Sequence, residues 1–160
     1  SVELSKATRA YESGNLQSAI PMLSNLVKSH GRTTSGKIAR FYLANAFFQS
    51  KDYDNARINY QKFIDSFSGD THFQAAAHGG LAASLEEKKQ YAEAAAAYSK
   101  AAEKYASTVH APLFLFKAGR CYQQAGKPEQ SKVMFQRIVD KFPKSAEKDD
   151  AVLQLAMLGR

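Results

Sequence analysis

Four rows of residues recur along this chain at one interval, and that interval governs what it can fold into. Ala19, Ala56, Ala94 and Ser131 are separated by 37, 38 and 37 positions. Four residues beyond each stand Leu23, Tyr60, Tyr98 and Phe135, and three further on stand Leu26, Phe63, Ala101 and Ile138. Upstream, Ala7, Ala44, Ala82, Gly119 and Ala156 follow one another at steps of 37, 38, 37 and 37. A period of this length marks a stack of supersecondary units, because one unit cannot bury its apolar face alone.

Each unit reads as two helices. In the second, Phe41, Leu43, Ala44, Phe47 and Phe48 fall at helical intervals, and so do Ala56, Tyr60, Phe63, Ile64 and Phe67. Spacings of three and four put the large side chains on one stripe of each helix. Between the helices fall short turns: "ESGNL" at 12–16, "SKDY" at 50–53, "KKQY" at 88–91 and "AGKP" at 125–128. Gly14 and Gly126 suit the left-handed residue that ends a helix, and Pro128 suits the first turn of the next. The small rows predict a close antiparallel crossing, with Ala44 against Ala56 and bulky Phe47 and Tyr60 on either side. Longer junctions separate the units, and Pro112 and Pro143 are expected to interrupt helical hydrogen bonding in two of them. After the last junction, "DDAVLQLAML" reads as one more helix, which caps the final core.

Composition limits the function classes. At 160 residues, with 44% hydrophobic and 23% charged residues, the chain suits one globular domain of ordinary size. No apolar run approaches the roughly 18 residues of a membrane span. The chain opens at Ser1 and not at Met, which suggests a processed form or fragment, from which an upstream signal or anchor could have been cut away. The net charge of +7 points toward acidic partners. Its distribution is even: nine Lys and Arg against six Asp and Glu in residues 1–80, and thirteen against nine in 81–160. The single cysteine, Cys121, lies in a helical pattern and reads as a small buried hydrophobe.

No residue set reads as catalytic, and no cofactor is expected. His30, His72, His78 and His110 include no i, i+4 pair of the kind a helical metal site uses, so no metal is expected. The Ser, Thr and Asp residues gather at helix starts, where they cap backbone N–H groups. "HGGLA" at 78–82 runs inside a predicted helix and is no phosphate loop. Nucleic-acid signatures are lacking, and no small-molecule substrate is implied.

"LANAFFQSKDYDNARINYQKF" resembles a tetratricopeptide repeat (TPR). So do "LAASLEEKKQYAEAAAAYSKA" and "AGRCYQQAGKPEQSKVMFQRI". That family is a helix–turn–helix of about 34 residues with a small Gly or Ala, an Ala-x3-Phe pair and a closing Pro. The resemblance implies an all-α fold: a right-handed α-solenoid of about four such repeats, near 2–31, 35–69, 72–107 and 110–144, plus a C-terminal capping helix at 147–158. The first repeat matches least, since Lys6 stands where the others have Leu43, Leu81 and Ala118. The longer period, with "FQRIVDKFPKSAEKDDAVLQLA", is similar to bacterial cell-envelope members of the superfamily. It implies a periplasmic or membrane-anchored location facing the periplasm, with a cytoplasmic one as the alternative.

Such stacks present the first helix of each unit on a concave face. The groove expected there is lined by Tyr11, Phe41, Asn45, Phe48, Gln49, Gly79, Ala83, Glu86, Glu87, Leu113, Phe116, Arg120 and Gln123. Phe41, Phe48 and Phe116 would supply grease and Gly79 and Ala83 a low floor, or the phenylalanines pack internally instead. Asn45, Gln49, Arg120 and Gln123 would hold a peptide backbone or a carboxylate. The expectation is a non-enzymatic scaffold for a protein or peptide segment. Two alternatives stay open: a cationic module for an anionic polymer such as glycan, lipid headgroups or nucleic acid, and self-association.

Overall fold

The computed structural model describes residues 1–159, and helices account for most of them. In chain order these are α1 (Val2–Glu12), α2 (Leu16–His30), α3 (Thr34–Gln49), α4 (Tyr53–Ser66), α5 (Thr71–Glu87), α6 (Tyr91–Lys104), α7 (His110–Gln124), α8 (Pro128–Lys141) and α9 (Lys148–Leu158). Among the described residues there is no strand, so the fold is all-α: four helical hairpins and one further helix.

All four hairpin turns are closed by one device. Gly14, Lys51, Lys89 and Gly126 take positive φ of 78°, 63°, 60° and 70°, at the same register position. In each turn the next N–H reaches back five residues: Asn15 to Ala10 at 3.0 Å, and Asp52 to Phe47, Gln90 to Leu85 and Lys127 to Tyr122 at 2.9 Å. This is the Schellman closure, which satisfies carbonyls a helix end would leave orphaned. The glycines were legible in the sequence. Lys51 and Lys89 were not, because lysine carries no preference for that conformation. The following helix is capped by side chains only in the first two turns, where Asn15 accepts from the Ser18 N–H and Asp52 from the Asn55 N–H, both at 3.2 Å.

The small rows lie at the crossings. Ala7, Ala44, Ala82 and Gly119 are buried, as are Ala19, Ala56, Ala94 and Ser131. In the α7–α8 hairpin, the Ser131 hydroxyl donates to the Gly119 carbonyl at 2.8 Å, so the two backbones nearly touch. A Cβ on Gly119 would come within 2.7 Å of the Phe135 ring, and one on Gly80 would fall on the Tyr60 ring. Glycine is required at both places because an aromatic ring lies flat on the helix backbone.

The chain gathers into two compact units, residues 1–84 and 85–160, with the boundary inside α5. The first has two linked clusters. Ala7, Leu23, Leu26, Ala39 and Leu43 form one, and Phe41, Ala44, Ala56, Tyr60 and Phe63 the other. In the second, Tyr98, Leu115, Cys121, Phe135 and Ile138 are buried. Each fully buried large side chain contributes roughly 1.5–3 kcal/mol.

Two sequence expectations need correction. Pro112 does not interrupt a helix; it is the third residue of α7, in a first turn whose N–H groups have no intrahelical acceptor to lose. Ala156 breaks its row, since it is exposed where Ala7, Ala44, Ala82 and Gly119 are buried. Pro143 follows the end of α8, where it stops the helix as expected.

Candidate functional site

The two units are described separately. In the first, the ends of α1 and α3 bring three of the expected residues together. The Gln49 side chain donates from Nε2 to the Tyr11 hydroxyl at 2.8 Å. Tyr60 reaches from α4 and donates its hydroxyl to Asn45 Oδ1. Burial raises the Tyr11 hydroxyl above the ordinary tyrosine pKa, and the nearby Asn45 amide offsets part of that rise. Asn45 thus accepts from the buried Tyr60 and lies beside the half-buried Tyr11. Gln49 is exposed and keeps its carbonyl for an outside donor.

The phenylalanines divide. Phe41 is core: it is 8% exposed, with its ring 5.5 Å from Phe63 and 5.1 Å from Phe73. Its helical stripe faces the next hairpin and not solvent, so it does not line an open surface as expected. What exposure it keeps opens into a hollow of about 240 Å³ formed with Asp70, His72, Phe73 and Ala76. Sequence reasoning missed this hollow, since nothing in the period says that the start of α5 folds over Phe41. Phe48 is half-buried, edge-on to Tyr53 of its own hairpin at 5.3 Å. Gly79 and Ala83 are half-buried on α5.

In the second unit the polar residues cluster differently. The Tyr98 hydroxyl donates to Glu86 Oε2 at 2.9 Å, and Lys117 Nζ lies 5.7 Å from the centre of the Tyr98 ring. Burial, then the Glu86 carboxylate, hold the Tyr98 hydroxyl well above the usual tyrosine range. The same two causes push the buried Cys121 thiol up to about 12, so it remains a thiol and a poor nucleophile. Glu86, Glu87 and Arg120 share a polar hollow of about 250 Å³ with Lys89, Tyr91 and Gln124. Leu113 is exposed. Phe116 is half-buried, with its ring 5.4 Å from Phe135. Gln123 turns aside and donates to Gln154 Oε1 of α9 at 3.1 Å.

Both faces offer amide, hydroxyl and charged groups suited to a peptide. Among the described residues, no three His, Cys, Asp or Glu side chains converge as a metal ligand set would, and no helix is long and apolar enough to cross a membrane.

Helical hairpins in one register, with small residues at every crossing, are the architecture of one large group of proteins. A profile of the tetratricopeptide repeat-like domain matches residues 1–157. The chain belongs to the TPR-like family. Two solved structures of a Podosopora anserina protein, described as a kinesin light chain with nearly identical TPR-like repeats, are similar in fold. They superpose with a TM-score of 0.74 at 15% and 14% identity, the second being a point variant, and the match covers 98% of this chain and 83% of theirs. At that identity the likeness concerns the fold alone. No curated protein matches the sequence. TPR-like folds generally mediate protein–protein interaction.

Proposed function

We propose that this TPR-like chain is a non-enzymatic scaffold that holds a protein segment, an extended peptide or a helix, against the first helices of its repeats. One observation carries the reading: at the surface of the first unit Gln49 of α3 hydrogen-bonds Tyr11 of α1, with Asn45 of α3 close by. Gln49 offers an exposed amide for a peptide backbone, and the partly exposed Phe48 ring beside it supplies apolar area. In the second unit, the hollow with Arg120, Glu86 and Glu87 suits the charged side chains of a bound segment. A place in bacterial cell-envelope assembly, facing the periplasm, is part of the proposal. It is supported by the resemblance of "FQRIVDKFPKSA" to envelope members of the superfamily.

The test is a peptide array probed with the wild-type chain and with a Phe48→Ser, Gln49→Ala double variant, folding being checked by circular dichroism. The expected result is a set of peptides bound by the wild type and lost by the folded variant. Identical binding by both would overturn the assignment to this face. Repeating the titration from about 50 to 200 mM salt separates this from attachment to an anionic polymer, whose affinity falls steeply over that range.

A further inference from the structure

At the start of α5 the first unit keeps a hollow of about 240 Å³. The rings of Phe41 and Phe73 wall it, and Ala76 adds apolar surface. Asp70 and His72, both exposed, complete its lining. The two rings stand at 90° with centroids 5.1 Å apart, so they form a corner. Neighbouring rings hold that corner in place: Phe41 also packs on Tyr42, Tyr60 and Phe63, and Phe73 on Phe67 at 6.1 Å. Phe73 is only half-buried, so part of its ring stays accessible.

Charge narrows the occupant. Asp70 precedes α5, and its Oδ1 accepts the His72 N–H at 2.7 Å, as an N-cap does. An ionised carboxylate has about four acceptor positions, so one such bond leaves room for another donor. Its full negative charge outweighs the roughly half positive charge at the N-terminus of a helix, so this end of the hollow favours a cation. Among the described residues that line the hollow, none is lysine or arginine. Arg40, next to Phe41 in sequence, is engaged elsewhere, with Asn59 Oδ1 at 3.2 Å.

Size and polarity narrow it further. The hollow is smaller than the pockets that hold drug-sized ligands, which begin at about 300 Å³, so it admits one side chain. An apolar floor with an acid at one end suits a side chain that is apolar along its stem and cationic at its tip. Arginine meets both demands best. Its methylenes lie against apolar surface, and its planar, weakly hydrated guanidinium stacks on aromatic rings and forks onto carboxylates.

We propose that this hollow is a specificity pocket for one arginine side chain of a bound segment, with the guanidinium over the Phe73 ring and paired with Asp70. The inference rests on the reading that a segment lies along the first helices, and it gives that segment a required residue. Phe41 stands seven residues before Phe48 on α3, about 10 Å along the helix, so the pocket and the Gln49–Tyr11 pair are separate points of contact.

The experiment titrates the whole isotope-labelled chain with the tripeptide acetyl-Gly-Arg-Gly-amide, followed by NMR. Saturable shifts are expected at residues 70–76. The citrulline tripeptide keeps the shape without the charge, and the norleucine tripeptide keeps the stem alone. Each is expected to bind at least about five-fold more weakly than the arginine tripeptide. Asp70→Asn keeps a capping acceptor, and it is expected to weaken the arginine tripeptide several-fold and to remove most of its salt dependence. Phe73→Leu, which keeps an apolar wall without the ring, is expected to weaken it as well. A tripeptide reads this pocket alone, whereas the peptide array reads the face at Phe48 and Gln49, so either reading can fail without the other. Absence of saturable shifts at residues 70–76 would overturn the inference. So would citrulline or norleucine binding as tightly as arginine, or an affinity unchanged by Asp70→Asn.

Discussion

Tyr60 and Tyr98 hold the same register position, one in each compact unit, and their hydroxyls end on different acceptors. Tyr60 donates to the neutral amide of Asn45, one residue past the small Ala44. Tyr98 donates to the Glu86 carboxylate, four residues past the small Ala82. Their third counterpart is Phe135, which has no hydroxyl, and Gln123, at the position of Glu86, turns to Gln154 instead. The ring is placed by the hairpin crossing, which leaves an aromatic-sized space four residues beyond Ala56, Ala94 and Ser131. The hydroxyl is then satisfied by whatever polar group the neighbouring helix brings within reach, since a buried donor left unpaired costs about 1–3 kcal/mol. Geometry repeats along the chain, and polar chemistry does not.

The strongest way to break this comparison is to fill the space the ring needs. Gly119→Val would drive a branched side chain into the Phe135 ring, and Gly80→Val would do the same to Tyr60. Each is expected to cost about 3 kcal/mol in urea denaturation, the upper range for overpacking. A cost under about 1 kcal/mol would mean that the rings shift freely and the crossings are not tight.

Removing the hydroxyls comes next. Tyr98→Phe deprives a carboxylate of its donor and is expected to cost about 1.5 kcal/mol, against about 1 kcal/mol for Tyr60→Phe. In a Glu86→Gln background the loss from Tyr98→Phe should fall to that of Tyr60→Phe. A double-mutant cycle with no coupling between positions 86 and 98 would refute the charge-assisted bond.

Alkaline titration sharpens the same contrast. Burial raises both Tyr60 and Tyr98 above the unfolded value, so the folded chain keeps protons that the unfolded chain loses. Stability is therefore complete below about pH 10 and falls above it, with each tyrosine adding up to about 1.4 kcal/mol per pH unit to the slope. Each Tyr→Phe variant should remove one share of that slope. Cys121, raised to about 12, adds its own share from about pH 9 upward, and Cys121→Ala should remove it.

The smallest expected effects lie in the turns. Lys51 and Lys89 hold the left-handed conformation that Gly14 and Gly126 hold in the other two. Lys51→Gly and Lys89→Gly are each expected to raise stability by about 0.5 kcal/mol, the strain relieved being partly offset by the freedom glycine gains in the unfolded chain. Gly14→Ala and Gly126→Ala should lower it by about 1 kcal/mol. Differential scanning calorimetry of the four variants would measure both.

The helices, their pairing and the small residues at each crossing were legible from the period alone, because rows of Ala, Gly and Ser at constant spacing admit few packings. Pro112 misled, since proline reads as a break although a first turn accepts it without loss. The candidate face was legible in part. Tyr11, Asn45 and Gln49 do meet, but periodicity could not tell which phenylalanines stay open: Phe41 is sealed by Phe63 and Phe73, whereas Phe48 keeps an exposed edge beside Tyr53.

By itself, the sequence determined the class of fold, the number of hairpins and the identity of the crossing residues. These follow from spacing, and spacing is written directly in the chain. Only the tertiary structure decided that the Tyr98 hydroxyl bonds Glu86 while that of Tyr60 bonds Asn45, that Lys51 and Lys89 bear left-handed strain, and that Ala156 alone of its row lies bare. Those outcomes depend on which side chain of a neighbouring helix arrives within hydrogen-bonding or van der Waals distance. A one-dimensional period does not carry that distance.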